Sequence, residues 1–173
     1  MKYLIPMIAA TVGFTAIGSA QAQSNAKPIS VARAPTAIVK SVTEADLRAL
    51  VLVEGHKIDA MHPFEAPSVR GKTKDGHSFV LIGTACGVQG MSGCQGIMMQ
   101  ARYDADDRVT LEGMNSANIK HAALSAWWDK PEKTIGFTRY VVLDDGVTWM
   151  NVRQNLRVLL SDEPEAVKEV WPN

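Results

Sequence analysis

Apolar positions along the chain switch between two periods, and the switches mark out its elements. From Thr43 to Glu54 the spacing is helical: Leu47, Leu50 and Val51 share a face, Thr43 can cap the start, Asp46 stands at the third helical position and Gly55 ends the run. A short strand is predicted over His56 to Met61, after which His62-Pro63 and Ala66-Pro67 break regular structure. Ser68 to Lys74 alternates and is polar, which predicts an edge strand, and Asp75-Gly76 is a hairpin turn signal. His77 to Ala85 is a strand apolar on both faces, and Gln95 to Tyr103 is another, with Ile97, Met99, Ala101 and Tyr103 on one side. A charged turn follows from Asp104 to Arg108. Thr110 then caps a helix to about Ala122, and Ala123 to Trp128 is extended. Lys130 to Lys133 is a turn. Thr134 to Leu143 is the clearest strand, with Ile135, Phe137, Val141 and Leu143 on one face and Arg139 intruding. After the turn at Asp144-Asp145-Gly146, Thr148 caps a helix to Leu160 striped by Val152, Leu156 and Leu159, with a short tail helix beyond Pro164.

The resulting order is α-β-β-β-β-α-β-β-α. Tight turns join all the strands except those around the middle helix, so the sheet is mainly antiparallel, with five to six strands and two to three helices packed on it. The expected class is α+β, and the roughly 130 residues from Val42 to Val170 suffice for one modest core.

The N-terminal stretch follows a different logic. Met1-Lys2 is followed by an uncharged, mostly apolar run from Tyr3 to Ile17, and Ala20 and Ala22 make a small-x-small pattern. The run is shorter than the roughly 20 residues that span hydrocarbon, and Pro6 lies inside it. Residues 1–22 are therefore expected to be a cleavable signal peptide, 23–41 a flexible leader and 42–170 the folded domain. No Cys lies near the cleavage position, which excludes a lipid-modified N-terminus. The expected compartment is the periplasm, with no stable membrane insertion after cleavage.

Charge and cysteine content sharpen this picture. Eighteen basic residues balance eighteen acidic ones, which excludes a generic cationic surface for nucleic acid or anionic lipid. Cys86 and Cys94 are the only cysteines. In an exported chain a lone pair is expected to be joined, here at the mouth of a β-hairpin. The spacing suits neither a Cys-x-x-Cys redox site nor a structural zinc.

Four features resemble the YbjN-domain family of sensory transduction regulators. Glu54-Gly55-His56 is similar to that family's passage from first helix to first strand, and a Cys follows the third strand. Leu111-Glu112-Gly113-Met114-Asn115-Ser116-Ala117-Asn118 looks like its helix with two Asn three residues apart, and Val142-Leu143-Asp144-Asp145-Gly146-Val147-Thr148 like its strand, turn and last helix. The likeness spans most of Val42 to Leu160. It implies a fold like that of type III secretion chaperones and a binding or regulatory module with no established catalytic activity. Two features depart from the family: the middle helix continues as Ile119-Lys120-His121-Ala122-Ala123 rather than basic and aromatic, and the signal peptide places the chain outside the cytoplasm.

Tests for reaction chemistry come out weak. Asp104, Asp106 and Asp107 do not continue as a calcium loop, because Arg108, Val109 and Asn115 stand where a ligand, a Gly and a bidentate Glu belong. His56, His62, His77 and His121 have no metal-ligand spacing, Ser92 lies one residue short of a nucleophile elbow, and the glycines at 83, 87, 90, 93 and 96 form no nucleotide loop. No catalytic residue, metal or cofactor is assigned. Asn115 and Asn118 share one side of the middle helix and are read as structural ties. Trp127 and Trp128 should point to opposite faces of a strand. One is core, while the other, with Met91, Met98 and Trp149, forms a candidate contact surface. The expected function is non-enzymatic engagement of a protein partner through the sheet face or edge. Dimer formation enters by analogy with chaperone-like folds. The alternatives are a small hydrolase or metal-dependent enzyme using His, Asp and Ser, and a small-molecule sensor requiring a cavity of about 300 Å³ or more.

Overall fold

The computed structural model describes residues 33–61 and 63–171, with the side chain of Gln89 left aside. The predicted signal peptide and most of the leader lie outside the described residues, as does His62. The fold of the described residues is α+β: a six-stranded antiparallel sheet and three α-helices. In chain order the elements are β1 (Ile38–Val39), α1 (Glu44–Val53), β2 (Lys57–Met61), β3 (Ser68–Lys72), β4 (Ser78–Cys86), β5 (Cys94–Asp104), α2 (Leu111–Lys120), β6 (Ser125–Asp129), β7 (Thr134–Val142), β8 (Val147–Thr148) and α3 (Trp149–Val170). The main sheet runs β2-β3-β4-β5-β7-β6, and β1 pairs with β8 apart from it.

Local chemistry sets the boundaries. Thr43 caps α1 in a full capping box with Asp46, and Thr110 and Thr148 cap α2 and α3. Gly76 holds φ 92° in the β3–β4 turn, a conformation in which a side chain would be strained.

All three helices pack on one face of the sheet. That face presents Val69, Phe79, Leu81, Ile97, Met99, Ala101, Ile135, Phe137 and Val141. Against it lie Leu47, Leu50 and Val51 of α1, Met114 and Ala117 of α2, and the α3 stripe Val152, Leu156, Leu159, Ala166 and Val170. Two charged residues enter this layer. Arg139 donates to Asn155 Oδ1 at 2.6 Å and to the Ala123 carbonyl at 2.5 Å. Glu163 continues the α3 stripe and is 2% exposed.

Three expectations need revision. β3 lies between β2 and β4 instead of at the edge; its polar Arg70 and Lys72 face away from the helices, so alternation on a one-sided sheet mimics an edge strand. The last helix continues unbroken to Val170 with Pro164 inside it, held by burial of Ala166 and Val170 beyond the proline, where the end of α3 packs on Gly113 of α2. The ordered body also begins upstream of Val42. Ile38 and Val39 pair with β8, and the carbonyls of Pro35 and Ala37 accept from the N–H groups of Met150 and Trp149 at 2.8 Å. The first turn of α3 needs such acceptors, which draws this segment onto the domain.

Candidate functional site

With every described helix on one side, no described helix covers the other face of the sheet, although the loop between β2 and β3 lays Phe64 over Arg102 on part of it. Strand register assembles it: Lys57, Lys72 and Ser78 form one row, Arg70, Val80, Gln100, Thr138 and Ser125 a second, Ser68, Ile82, Met98 and Tyr140 a third, and Thr84, Gly96 and Val142 a fourth. Tyr140 is 51% and Val142 56% exposed. Tyr140 shares a hydrogen bond of 2.7 Å with the Thr84 hydroxyl and lies across Gly96, where an added Cβ would come within 2.3 Å of its hydroxyl. Trp127 covers Gly136 in the same way and donates to Thr138 Oγ1 at 2.8 Å. Thr138 also accepts from Gln100 Nε2 at 2.9 Å, and Gln100 Oε1 accepts from Arg102 at 2.7 and 2.9 Å. A continuous polar chain thus crosses β5, β7 and β6, flanked by apolar side chains.

The five residues of the expected contact surface fall in four places. Met98 and Trp127 lie on the open face and are half-buried. Trp128 faces the helices, where it packs against the core with Lys130 Nζ 4.5 Å from its ring centre. Met91 sits at the Cys loop, with Gln95 Nε2 3.5 Å from its sulfur. Trp149 does not belong to a contact surface. It is fully buried, because as the first residue of α3 it joins the core, with its backbone N–H donating to the Ala37 carbonyl. Asn118 is a structural tie, its side chain exchanging bonds of 2.8 and 3.1 Å with the Ala126 backbone to fix α2 on β6. Asn115 is solvent-exposed and makes no such tie. Cys86 and Cys94 are facing residues in the β4–β5 register and form the disulfide.

A second site was not legible from spacing. A recess of about 400 Å³ lies between the start of β2, the β3–β4 turn and the α3 segment around Pro164, and its lining includes Glu54, His56, Lys74, His77 and Glu163. Its two glutamates behave oppositely. Burial raises the Glu54 carboxyl, but bonds from Arg157 and Arg153 at 2.6 and 2.5 Å outweigh it and hold the group below the usual carboxylate range. Burial pushes the Glu163 carboxyl up, against the pull of His77, and the Tyr103 hydroxyl donates to it. Burial also pushes the His56 imidazole down; its Nδ1 meets no partner and its ring packs edge-on to Phe79 at 5.3 Å. Among the described residues, no three acidic, His or Cys side chains cluster closely enough to hold a metal ion. Elsewhere, His121 Nδ1 lies 2.7 Å from Asp162, and Asp106, bonded by Arg108 and Trp171, is held down to about 2.

Comparison with protein-family models, curated proteins and solved structures finds no match for this chain.

Proposed function

We propose that the protein is an exported, non-enzymatic binding or regulatory module of the YbjN type that engages a protein partner through the open face of its sheet. One observation carries this reading: all three helices occupy the same side, leaving Met98, Trp127, Tyr140 and Val142 grouped on the other. Aromatic and Met side chains set among hydrogen-bonding groups on a rigid sheet are the composition of protein-binding surfaces. The face is also stiff, because Tyr140 and Trp127 are each anchored by a hydrogen bond and seated on a glycine. A preordered surface loses little entropy on docking. Export is supported by the N-terminal pattern and by the Cys86–Cys94 bond, and no described helix is long and apolar enough to cross a membrane.

The test is partner capture from envelope extract by wild type and by Tyr140→Ser/Val142→Ser, with Gln154→Ala on the helix side as control. Loss of the captured protein with the double variant alone supports the reading. Equal capture by all three sinks it.

The recess favours a second reading as a small-molecule sensor, since about 400 Å³ with His56, His77 and Glu163 in its lining suffices for a small polar ligand. A metabolite that raises the melting temperature of wild type but not of His77→Ala would establish it.

A further inference from the structure

The open face holds a cationic pocket that nothing in the described chain neutralises. It occupies about 350 Å³ beside β3, β4 and β5 and is lined by Pro63, Phe64, Arg70, Ser78, Val80 and Arg102. Arg102 is held in place: its Nε and Nη2 both donate to Gln100 Oε1, and the ring centres of Phe64 and Trp127 lie 4.6 and 5.5 Å from its guanidinium carbon. Gln100 is fixed in turn through Thr138. Arg70 reaches the same face because its partner Val80 is the partner of Gln100. Among the described residues, neither guanidinium forms a salt bridge, whereas Arg33, Arg108, Arg153 and Arg157 all do. Lys57 and Lys72 add positive charge along the adjoining row. The whole chain is neutral, so this concentration of charge is a product of strand register.

Like charges held together on a sheet face destabilise it, and an anion placed between them removes the penalty. Burial and the neighbouring Arg70 both push the Arg102 guanidinium below its ordinary pKa, the mark of a cation lacking a counter-charge. A guanidinium has five N–H donors in a planar fork. Gln100 takes the Nε and one Nη2 position of Arg102, and the rest remain for a planar acceptor. Carboxylate fits better than phosphate here. The backbone N–H groups of β3 and β4 are engaged in the sheet, so no nest of free amides is present for a phosphate, and the walls are the apolar Pro63, Phe64 and Val80.

We propose that the pocket between Arg70 and Arg102 is an anion subsite that receives an aspartate or glutamate side chain of the protein partner. This rests on the open-face reading. It adds that the docking segment carries a carboxylate beside apolar residues, the former on Arg102 and Arg70, the latter against Met98, Tyr140 and Val142.

The experiment uses the full chain and a fluorescein-labelled octapeptide alternating Glu and Leu, read by anisotropy. Comparison probes are the same peptide with Gln in place of Glu, inorganic phosphate and an oligothymidylate. The Glu peptide is expected to bind with salt-sensitive affinity, to weaken about tenfold or more when Glu becomes Gln, and to weaken equally with Arg102→Gln and Arg70→Gln. Arg102→Lys, which keeps charge but not the fork, should recover only part. Far-UV circular dichroism and melting of each variant establish that it is folded. The subsite is overturned if the two peptides bind alike, if folded Arg variants bind as wild type does, if neither peptide binds at about 1 mM, or if phosphate or the oligothymidylate displaces the Glu peptide. Partner capture separates the two claims. Capture by Arg70→Gln/Arg102→Gln at the wild-type level removes the subsite and leaves the docking face. Capture insensitive to Tyr140→Ser/Val142→Ser removes the docking face itself.

Discussion

Replacing Glu54 by alanine deletes the group that ties the end of α1 to α3. The Glu54 side chain is 6% exposed and accepts from Arg153 Nε at 2.5 Å, Arg157 Nε at 2.6 Å and Arg157 Nη2 at 3.3 Å. The two cations differ in shielding, with Arg153 at 15% exposure and Arg157 at 45%. A hydrogen bond to a charged group contributes roughly 1.5–3 kcal/mol, while a solvent-screened ion pair adds no more than about 1 kcal/mol. Glu54→Ala should therefore cost about 2–4 kcal/mol, most of it through Arg153, and Arg157→Ala should cost less than Arg153→Ala. Urea denaturation followed by circular dichroism gives both values, and double-mutant cycles should show stronger coupling of Glu54 to Arg153 than to Arg157. Acidity supplies a sign. Because the folded carboxyl lies below its unfolded value of about 4.3, its stabilisation is full above that pH and fades as pH falls through the folded value. Wild type and Glu54→Gln should thus converge in acid. A Glu54→Ala penalty within about 0.5 kcal/mol, or a wild-type advantage over Glu54→Gln undiminished in strong acid, would refute the reasoning.

Glu163 has the opposite pH signature. Its folded carboxyl is raised by burial, so its contribution is complete below about pH 4.3 and declines as pH rises through the folded value. Glu163→Gln should abolish that decline in a stability-versus-pH series, and an unchanged slope contradicts it. Cys86→Ser/Cys94→Ser should lower stability by about 2–3 kcal/mol, since the bond closes a short loop with a sequence separation of 8; urea midpoints of the oxidised and variant proteins check it. Gly136→Ala would set a Cβ 2.3 Å from Trp127 Cζ2, displacing the indole. Trp emission should shift to the red and stability fall by about 1–3 kcal/mol, whereas unchanged fluorescence would mean that the indole does not sit there.

Much of the fold was legible because its local signals agree. Thr43 makes the predicted cap, completed with Asp46 into a capping box, Asp75-Gly76 makes the predicted turn, and β7 buries the alternate residues its pattern marked. The open face was harder to read, because Val80 and Ile82 are apolar and buried yet lie on the side away from the helices, where Val80 shares a pocket with Pro63 and Phe64 of the β2–β3 loop. Period alone therefore could not say which face of β4 met the helices. Trp149 misled because an aromatic at a helix start carries no signal of direction, and the β1–β8 pairing just before it joins residues more than a hundred positions apart. Glu163 did carry a signal: the stripe Val152, Leu156, Leu159 extends at helical spacing to residue 163, but Pro164 argued for a break. His56 and His77 come to one recess only through register. Lys57 pairs with Lys72 and Lys72 with Ser78, which brings the preceding residue of each outer strand to the same end of the sheet. Arg70 and Arg102 stand on alternating polar positions that, taken singly, look like ordinary surface. Their convergence follows from the pairings of Val80 on either side.

Site-specific photocrosslinking in the native envelope tests the central claim most directly. A photoreactive phenylalanine analogue placed at Tyr140 on the open face, or at Gln154 on the exposed side of α3, samples the two sides of the molecule. The account predicts one discrete adduct from position 140, lost when Arg70 and Arg102 are both changed to Gln, and none from position 154. An adduct formed from position 154 alone would place the partner on the helices and contradict the account.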